Sequence, residues 1–253
     1  MSRRTTYLVG GAAVIAGIVM VVIAIVALSG NDESTTTTTE NTTERPITSS
    51  ESPATNPGAG QETEKPSPTT AHGAGIGREL AQRRTVRAPG FEADLISDGS
   101  IPAPLRDAFG RASDGGKLDM SKLDGTPVVL HLWSSECAPC RADGRLVEAT
   151  WKRWGPRGVL VVGASVKEPA DAAKTVIRQY DLTYPEVSDR SGEIAKLYGA
   201  TALPQTFFIS ASGDIVGEVV GSPSVRQLEV GTAAAESGKP FGSEQGNTRV
   251  PLD

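Results

Sequence analysis

Two cysteines and two histidines, Cys137, Cys140, His72 and His131, are all that 253 residues offer of the usual zinc ligands other than carboxylates. A closed zinc site draws four such ligands from one fold, and His72 lies apart in the polar segment before the folded domain, so none is expected within this chain. Two cysteines also fall short of the several bridges that staple small secreted scaffolds. Basic blocks are missing too. The net charge is −5 and the lysines and arginines are scattered, so no nucleic-acid partner is expected. Large aliphatic side chains are nearly absent from Asn31 to Gly75, where Ile47 stands alone among Thr, Ser, Glu, Pro and Gly. A segment this polar cannot bury enough apolar surface to offset the entropy of ordering it. Residues 31–85 are therefore expected to be a disordered linker, stiffened locally by Pro46, Pro53, Pro57, Pro66 and Pro68.

The stretch before this linker is its opposite. Tyr7 to Leu28 carries no charge and is rich in Val, Ile and Ala. At about 1.5 Å per helical residue such a run crosses a hydrocarbon core of roughly 30 Å. Arg3 and Arg4 precede it, Asp32 and Glu33 follow it, and positive flanks stay cytoplasmic. Residues 1–30 are expected to be a cytoplasmic N-terminus and single-pass transmembrane anchor, with the rest of the chain extracytoplasmic. The alternative is a signal peptide cleaved near Ala27-Leu28-Ser29, followed by secretion. The apolar run is long for a signal core and its positive region short, which favours the anchor.

From residue 86 the pattern becomes that of a folded domain, expected to reach residue 240, with a loose tail over 241–253. Val128 to Trp133 is an apolar, β-branched strand. Ala138-Pro139 opens a helix to Trp154, with proline in the first turn where its missing N–H is not needed. A buried strand over 158–166 follows. The pattern then gives a helix over 169–180 with Ala172, Val176 and Tyr180 on one face, a short strand near 185–187 and a short helix over 192–198. A hairpin, 205–210 with 214–220, leads to a closing helix over 224–236. Strands alternating with helices call for an α/β architecture, a mixed central sheet flanked by helices and ended by an antiparallel hairpin. Residues 86–125 form an N-terminal extension in which 100–116 is an inserted helix and loop.

Cys137 stands where a strand gives way to a helix. The unpaired N–H groups and the dipole of a helix N-terminus favour a thiolate there, and the thiolate is the form that attacks a disulfide. Two intervening residues on one turn bring Cys140 close enough to close a disulfide with Cys137 and so resolve a mixed one. Half of a metal site lacks its other ligands, and a structural bridge closing so small a ring constrains little of the unfolded chain. A peroxidase pattern is matched by Ser134, but Leu130 stands near where its proline belongs.

The segment His131-Leu132-Trp133-Ser134-Ser135-Glu136-Cys137-Ala138-Pro139-Cys140-Arg141 resembles the active site of the TlpA-like, redoxin-related branch of the thioredoxin superfamily. Ala88-Pro89-Gly90-Phe91, Tyr198 to Ile209 and Ser212-Gly213-Asp214 resemble further motifs of that branch, so the likeness covers roughly residues 86–236. It implies a thioredoxin-like fold with an extra helical insertion, and a Pro204 in the cis form facing the disulfide. It also implies a backbone at Leu203 that pairs with a bound peptide, and a substrate surface that includes Trp133 and Glu136. No cofactor is implied. Members of the branch often reduce apocytochrome c cysteines in cytochrome c maturation, with electrons from a membrane thiol transporter.

Departures from the branch are equally specific. Glu136 replaces an aromatic residue, and a carboxylate beside the sulfur opposes thiolate formation, with Arg141 offsetting it. His131 occupies a position of buried acids in thioredoxins; it is either a proton shuttle for Cys140 that titrates near neutrality, or a packed core histidine. Asp143 either tunes the dithiol or lies on a solvated helix face. The residues thus describe a thiol–disulfide oxidoreductase, most simply a reductase. An oxidase or isomerase, or a metal-binding or redox-sensing module, is the alternative.

Overall fold

The computed structural model describes residues 75–252. The apolar run over 7–28 and nearly all of the polar segment lie outside the described residues. Among those described, no helix is long and apolar enough to cross a membrane.

The chain begins with α1 (Ile76–Ala81), β1 (Val86–Arg87), β2 (Glu92–Ser97), α2 (Arg106–Ala112), β3 (Ser113–Asp114) and β4 (Lys117–Asp119). The central units are β5 (Val128–Trp133), α3 (Ala138–Trp154), β6 (Leu160–Val166), α4 (Ala170–Gln179), β7 (Glu186–Asp189) and α5 (Glu193–Leu197). They are followed by β8 (Ala202–Leu203), β9 (Gln205–Ile209), β10 (Asp214–Val220), α6 (Val225–Ser237), β11 (Gly242–Gln245) and β12 (Val250–Pro251).

The main sheet runs β1-β10-β9-β5-β6-β7-β2-β4-β3, with β11 also on β10. β5, β6 and β7 are parallel, and β9 and β10 form the antiparallel hairpin beyond β5. This is the thioredoxin-like mixed sheet that the pattern implies. β5 and β6 are buried at every position, as strands covered on both faces must be. On one face α3 lies beside α6, and Arg145 of α3 sits over the Tyr180 ring at the end of α4. α6 approaches the sheet closely because Gly231 leaves room for the Phe208 ring; any side chain there would overlap it. On the other face Tyr198, just after α5, packs on Phe207 and on Phe91 from the extension.

Four expectations are corrected. Residues 76–81, assigned to the linker, form a helix whose Ile76 and Leu80 are wholly buried, so the folded unit starts earlier than composition indicated. Residues 242–252 are not a loose tail: β11 and β12 pair with β10 and β8. The extension is part of the sheet, β2 joining β7 while β1 joins β10. The buried face of α4 is Ala173, Val176 and Ile177, with Ala172 and Tyr180 at its margin.

Candidate active site

Cys137 is the N-cap of α3 and Cys140 lies in its first turn. Their sulfurs are joined at 2.01 Å, with Cα atoms 5.2 Å apart. Cys137 Sγ also accepts the Cys140 N–H at 3.2 Å, so a donor of the helix N-terminus already points at the attacking sulfur. Strand and helix fix this placement together. β5 ends at Trp133, a three-residue loop follows, and α3 opens at Ala138 with Pro139 in its first turn.

That loop is fastened from two sides. The Glu168 carboxylate, just past β6, accepts the Ser135 N–H at 3.0 Å to each oxygen and also accepts the Ser135 hydroxyl. Ser165 donates to the same carboxylate at 2.5 Å. Arg141 donates to the Ser135 carbonyl at 2.7 Å, so its guanidinium holds the loop. Sequence reasoning missed Glu168. Its signal was a charged residue closing an otherwise apolar strand at the end of the sheet where β5 delivers Cys137.

Buried polar groups occur on α3 and on the central strands. His131 Nδ1 lies 3.0 Å from Thr206 Oγ1, its partner in the β5–β9 register, while Nε2 has no protein partner. Burial pushes the imidazole down to about 4, so His131 is neutral at physiological pH rather than titrating near neutrality. Asp143 is buried, not solvated; burial raises its carboxyl to about 6, with the Ser222 hydroxyl opposing the shift. The solvated helix position that the sequence allowed for it is not met. Glu186, also missed, accepts the Trp133 indole N–H at 2.9 Å and a hydrogen bond from Tyr184. Burial pushes its carboxyl up to about 8. It fits because Gly163, its partner across the β6–β7 ladder, has no side chain to occupy the same space.

Trp133 does not lie on the substrate surface. It is buried, with its indole turned inward to Glu186. Glu136 is exposed beside Cys137, where a partner can reach it. The Leu203–Pro204 peptide is cis. Pro204 precedes Gln205, which pairs with Leu132, so the proline segment lies at the same end of the sheet as the loop carrying Cys137. The structure therefore gathers Cys137, Cys140, Leu203 and Pro204 at one sheet end, with His131, Trp133 and Asp143 in the interior. Cys137 and Cys140 are only 4% and 2% exposed. Among the described residues no group of three or more His, Cys, Asp or Glu is arranged to hold a metal ion.

The model of the AhpC/TSA family matches residues 86–217, just over half of the chain. The chain belongs to that family. Within it, the chain is 31% identical over 116 residues to the thiol-disulfide oxidoreductase ResA of Bacillus thuringiensis subsp. konkukian, covering 46% of this chain and 67% of that one. ResA of Oceanobacillus iheyensis is likewise 31% identical over 116 residues, 46% of this chain and 60% of its own. Among solved structures, a thiol:disulfide interchange protein of Chlorobium tepidum has a TM-score of 0.48 at 23% identity, covering 60% of this chain and 97% of that one. A secreted disulfide oxidoreductase of Mycobacterium tuberculosis homologous to E. coli DsbE gives 0.46 at 22%, covering 57% and 95%. With its cysteine pair at a helix N-terminus, this AhpC/TSA member is a thiol–disulfide oxidoreductase of the TlpA-like kind.

Proposed function

We propose that the protein is an extracytoplasmic reductant of partner-protein disulfides, tethered to the cell membrane through residues 7–28. The observation that carries the reading is the disulfide at the α3 N-terminus, with a backbone donor on Cys137 Sγ and the Leu203–Pro204 segment at the same sheet end. In the reduced protein the Cys137 thiolate attacks one sulfur of the partner disulfide. That S–S bond breaks, and the departing sulfur leaves as a thiolate that takes up a proton. Cys140, on losing its own proton, attacks Cys137 Sγ and releases the partner's second sulfur as a thiol. Two electrons have then passed to the partner, and the protein carries the Cys137–Cys140 disulfide seen here. In this reading Leu203 pairs through its backbone with the partner chain, and Glu136 faces it.

The charge around the sulfurs supports a reducing direction of flow. Glu136 is the residue before Cys137, and Asp143, three residues after Cys140 on α3, loses its proton above about 6, whereas the Arg141 guanidinium is directed to the Ser135 carbonyl. Negative charge opposes thiolate formation, stabilises the disulfide relative to the dithiol, and so makes the dithiol a reductant. The substrates we favour are apocytochrome c cysteines during cytochrome c maturation, with a membrane thiol–electron transporter returning the electrons. The chain's likeness to ResA proteins supports membership of that group of oxidoreductases.

The test is the reduction potential and a trap, both on the intact chain. Against glutathione and dithiothreitol buffers the couple should lie nearer the roughly −270 mV of thioredoxin than the roughly −120 mV of DsbA. A value near the latter would make the protein an oxidant. Cys137→Ser should abolish insulin-disulfide reduction, and Cys140→Ala should accumulate mixed disulfides whose partners are identified by mass. Retained activity in Cys137→Ser would remove the mechanism.

A further inference from the structure

Beyond α6 the chain turns back toward the active site. β11 lies along β10, and the following residues run to β12, which pairs antiparallel with β8: Val250 opposite Leu203, Pro251 opposite Ala202. The path is stitched throughout. Gly246 N–H donates to Val220 O at 2.8 Å, Asn247 N–H to Ser222 O at 2.9 Å, and Ser222 N–H to Thr248 O at 2.7 Å. Leu252 N–H donates to Thr201 O at 3.1 Å. Bonded pairs alternate along an antiparallel ladder, so the bonded pair at 252 and 201 makes 250 and 203 the next one. Pro251, with no N–H to give, falls at the intervening pair, where none is required.

β8 and β12 make a sheet of two strands. With β12 lifted away, the backbone of Ala202 and Leu203 becomes an open edge directly before Pro204. An open strand edge accepts an extended peptide by adding it as a new strand. β12 is suited to give way, since Val250 is 43% exposed and Pro251 is exposed too. Leu252 supplies the apolar contact with the core at this end of the segment.

We propose that residues 247–252 are a built-in strand occupying the peptide-docking edge at Leu203, and that an extended cysteine-bearing segment of a partner must displace it. The inference rests on the reading of Leu203 as the partner-pairing residue. It narrows the substrate class to unfolded or extended polypeptide, because a small thiol gains nothing from a strand edge. The docked strand lowers the apparent affinity for such a peptide by the fraction of molecules in which the edge is closed.

In the intact chain, Val250→Pro removes the N–H of the bonded pair while leaving an already exposed side chain. Leu252→Ser removes the apolar anchor, and Val250→Thr, which keeps the N–H, is the control. Each is assayed with an extended peptide disulfide and with hydroxyethyl disulfide, a small linear disulfide. The expected result is a three- to tenfold fall in KM for the peptide in Val250→Pro and Leu252→Ser, with kcat and the rate with the small disulfide unchanged. Val250→Thr should match the parent. An unchanged or raised KM in both displacing variants overturns the strand's role while the proposed function stands. A parent chain that exchanges with neither substrate overturns the function itself.

Discussion

Glu186 is a carboxyl placed where ionisation is expensive: wholly buried on β7, with the Trp133 indole and the Tyr184 hydroxyl as its donors and no partner for Oε1. Its folded value of about 8 stands above its ordinary 4.5. Between those values the unfolded chain has released a proton that the folded chain still holds, so stability falls as pH rises through this window and levels off above it. Glu186→Gln keeps an oxygen for the Trp133 N–H and removes the titration. Denaturant unfolding at pH 5 and pH 8 should show the parent losing stability relative to the variant as pH rises, by up to about 1.4 kcal/mol per pH unit. Parallel pH curves would mean that the carboxyl is already ionised in the fold. Such a residue is hard to read from sequence, because its donor lies 53 positions away and Gly163, which makes room for it, says nothing alone. Cys137 and Cys140 were legible because strand end, cysteine, proline and helix are all local. The position of His131 was legible as well, but its neutral state was not, since burial rather than the residue type sets it.

The same contrast between local and distant information holds for the elements. β5, α3 and β10 appear at the residues where hydrophobic period and capping chemistry place them, because each carries its own signal along the chain. The strands of the extension were not legible. β2 is defined by pairing with β7, about ninety positions later, and a strand this exposed shows only weak alternation. The loop that presents Cys137 is likewise held by a distant element, with Glu168 at the end of β6 gripping Ser135. Glu168→Ala leaves the Ser135 N–H and hydroxyl without that acceptor. It should cost about 1–3 kcal/mol in thermal or denaturant unfolding. Insulin reduction should slow as well, because the sulfur no longer has a fixed approach. Glu168→Gln, which retains one acceptor oxygen, should fall between the two. An exchange rate unchanged in Glu168→Ala would show that the α3 N-cap positions Cys137 without help from the loop.

At the scale of the whole folded unit, the two ends of the described chain close one edge together. α1 packs on β10 and β11, and β11 is joined through Ser243 to Glu218, Glu218 to Gln205, and Gln205 to the Thr201 N–H, beside the strand that leads to Pro204. Composition placed the domain boundary at residue 86 because Ile76 and Leu80 are isolated apolar residues in a polar neighbourhood. Only the surface that buries them reveals that they belong to the core. Leu80 is wholly enclosed, so Leu80→Ala should cost about 2–5 kcal/mol through lost transfer energy and the cavity left behind. The denaturant midpoint should fall accordingly, with the reduction potential of the dithiol unchanged, since α1 packs chiefly on β10 and β11 and not on the helix that carries the sulfurs. A loss below about 1 kcal/mol would mean that the surroundings collapse onto the vacated site, and α1 would then be an attachment to the β10 edge rather than a part of the core it closes.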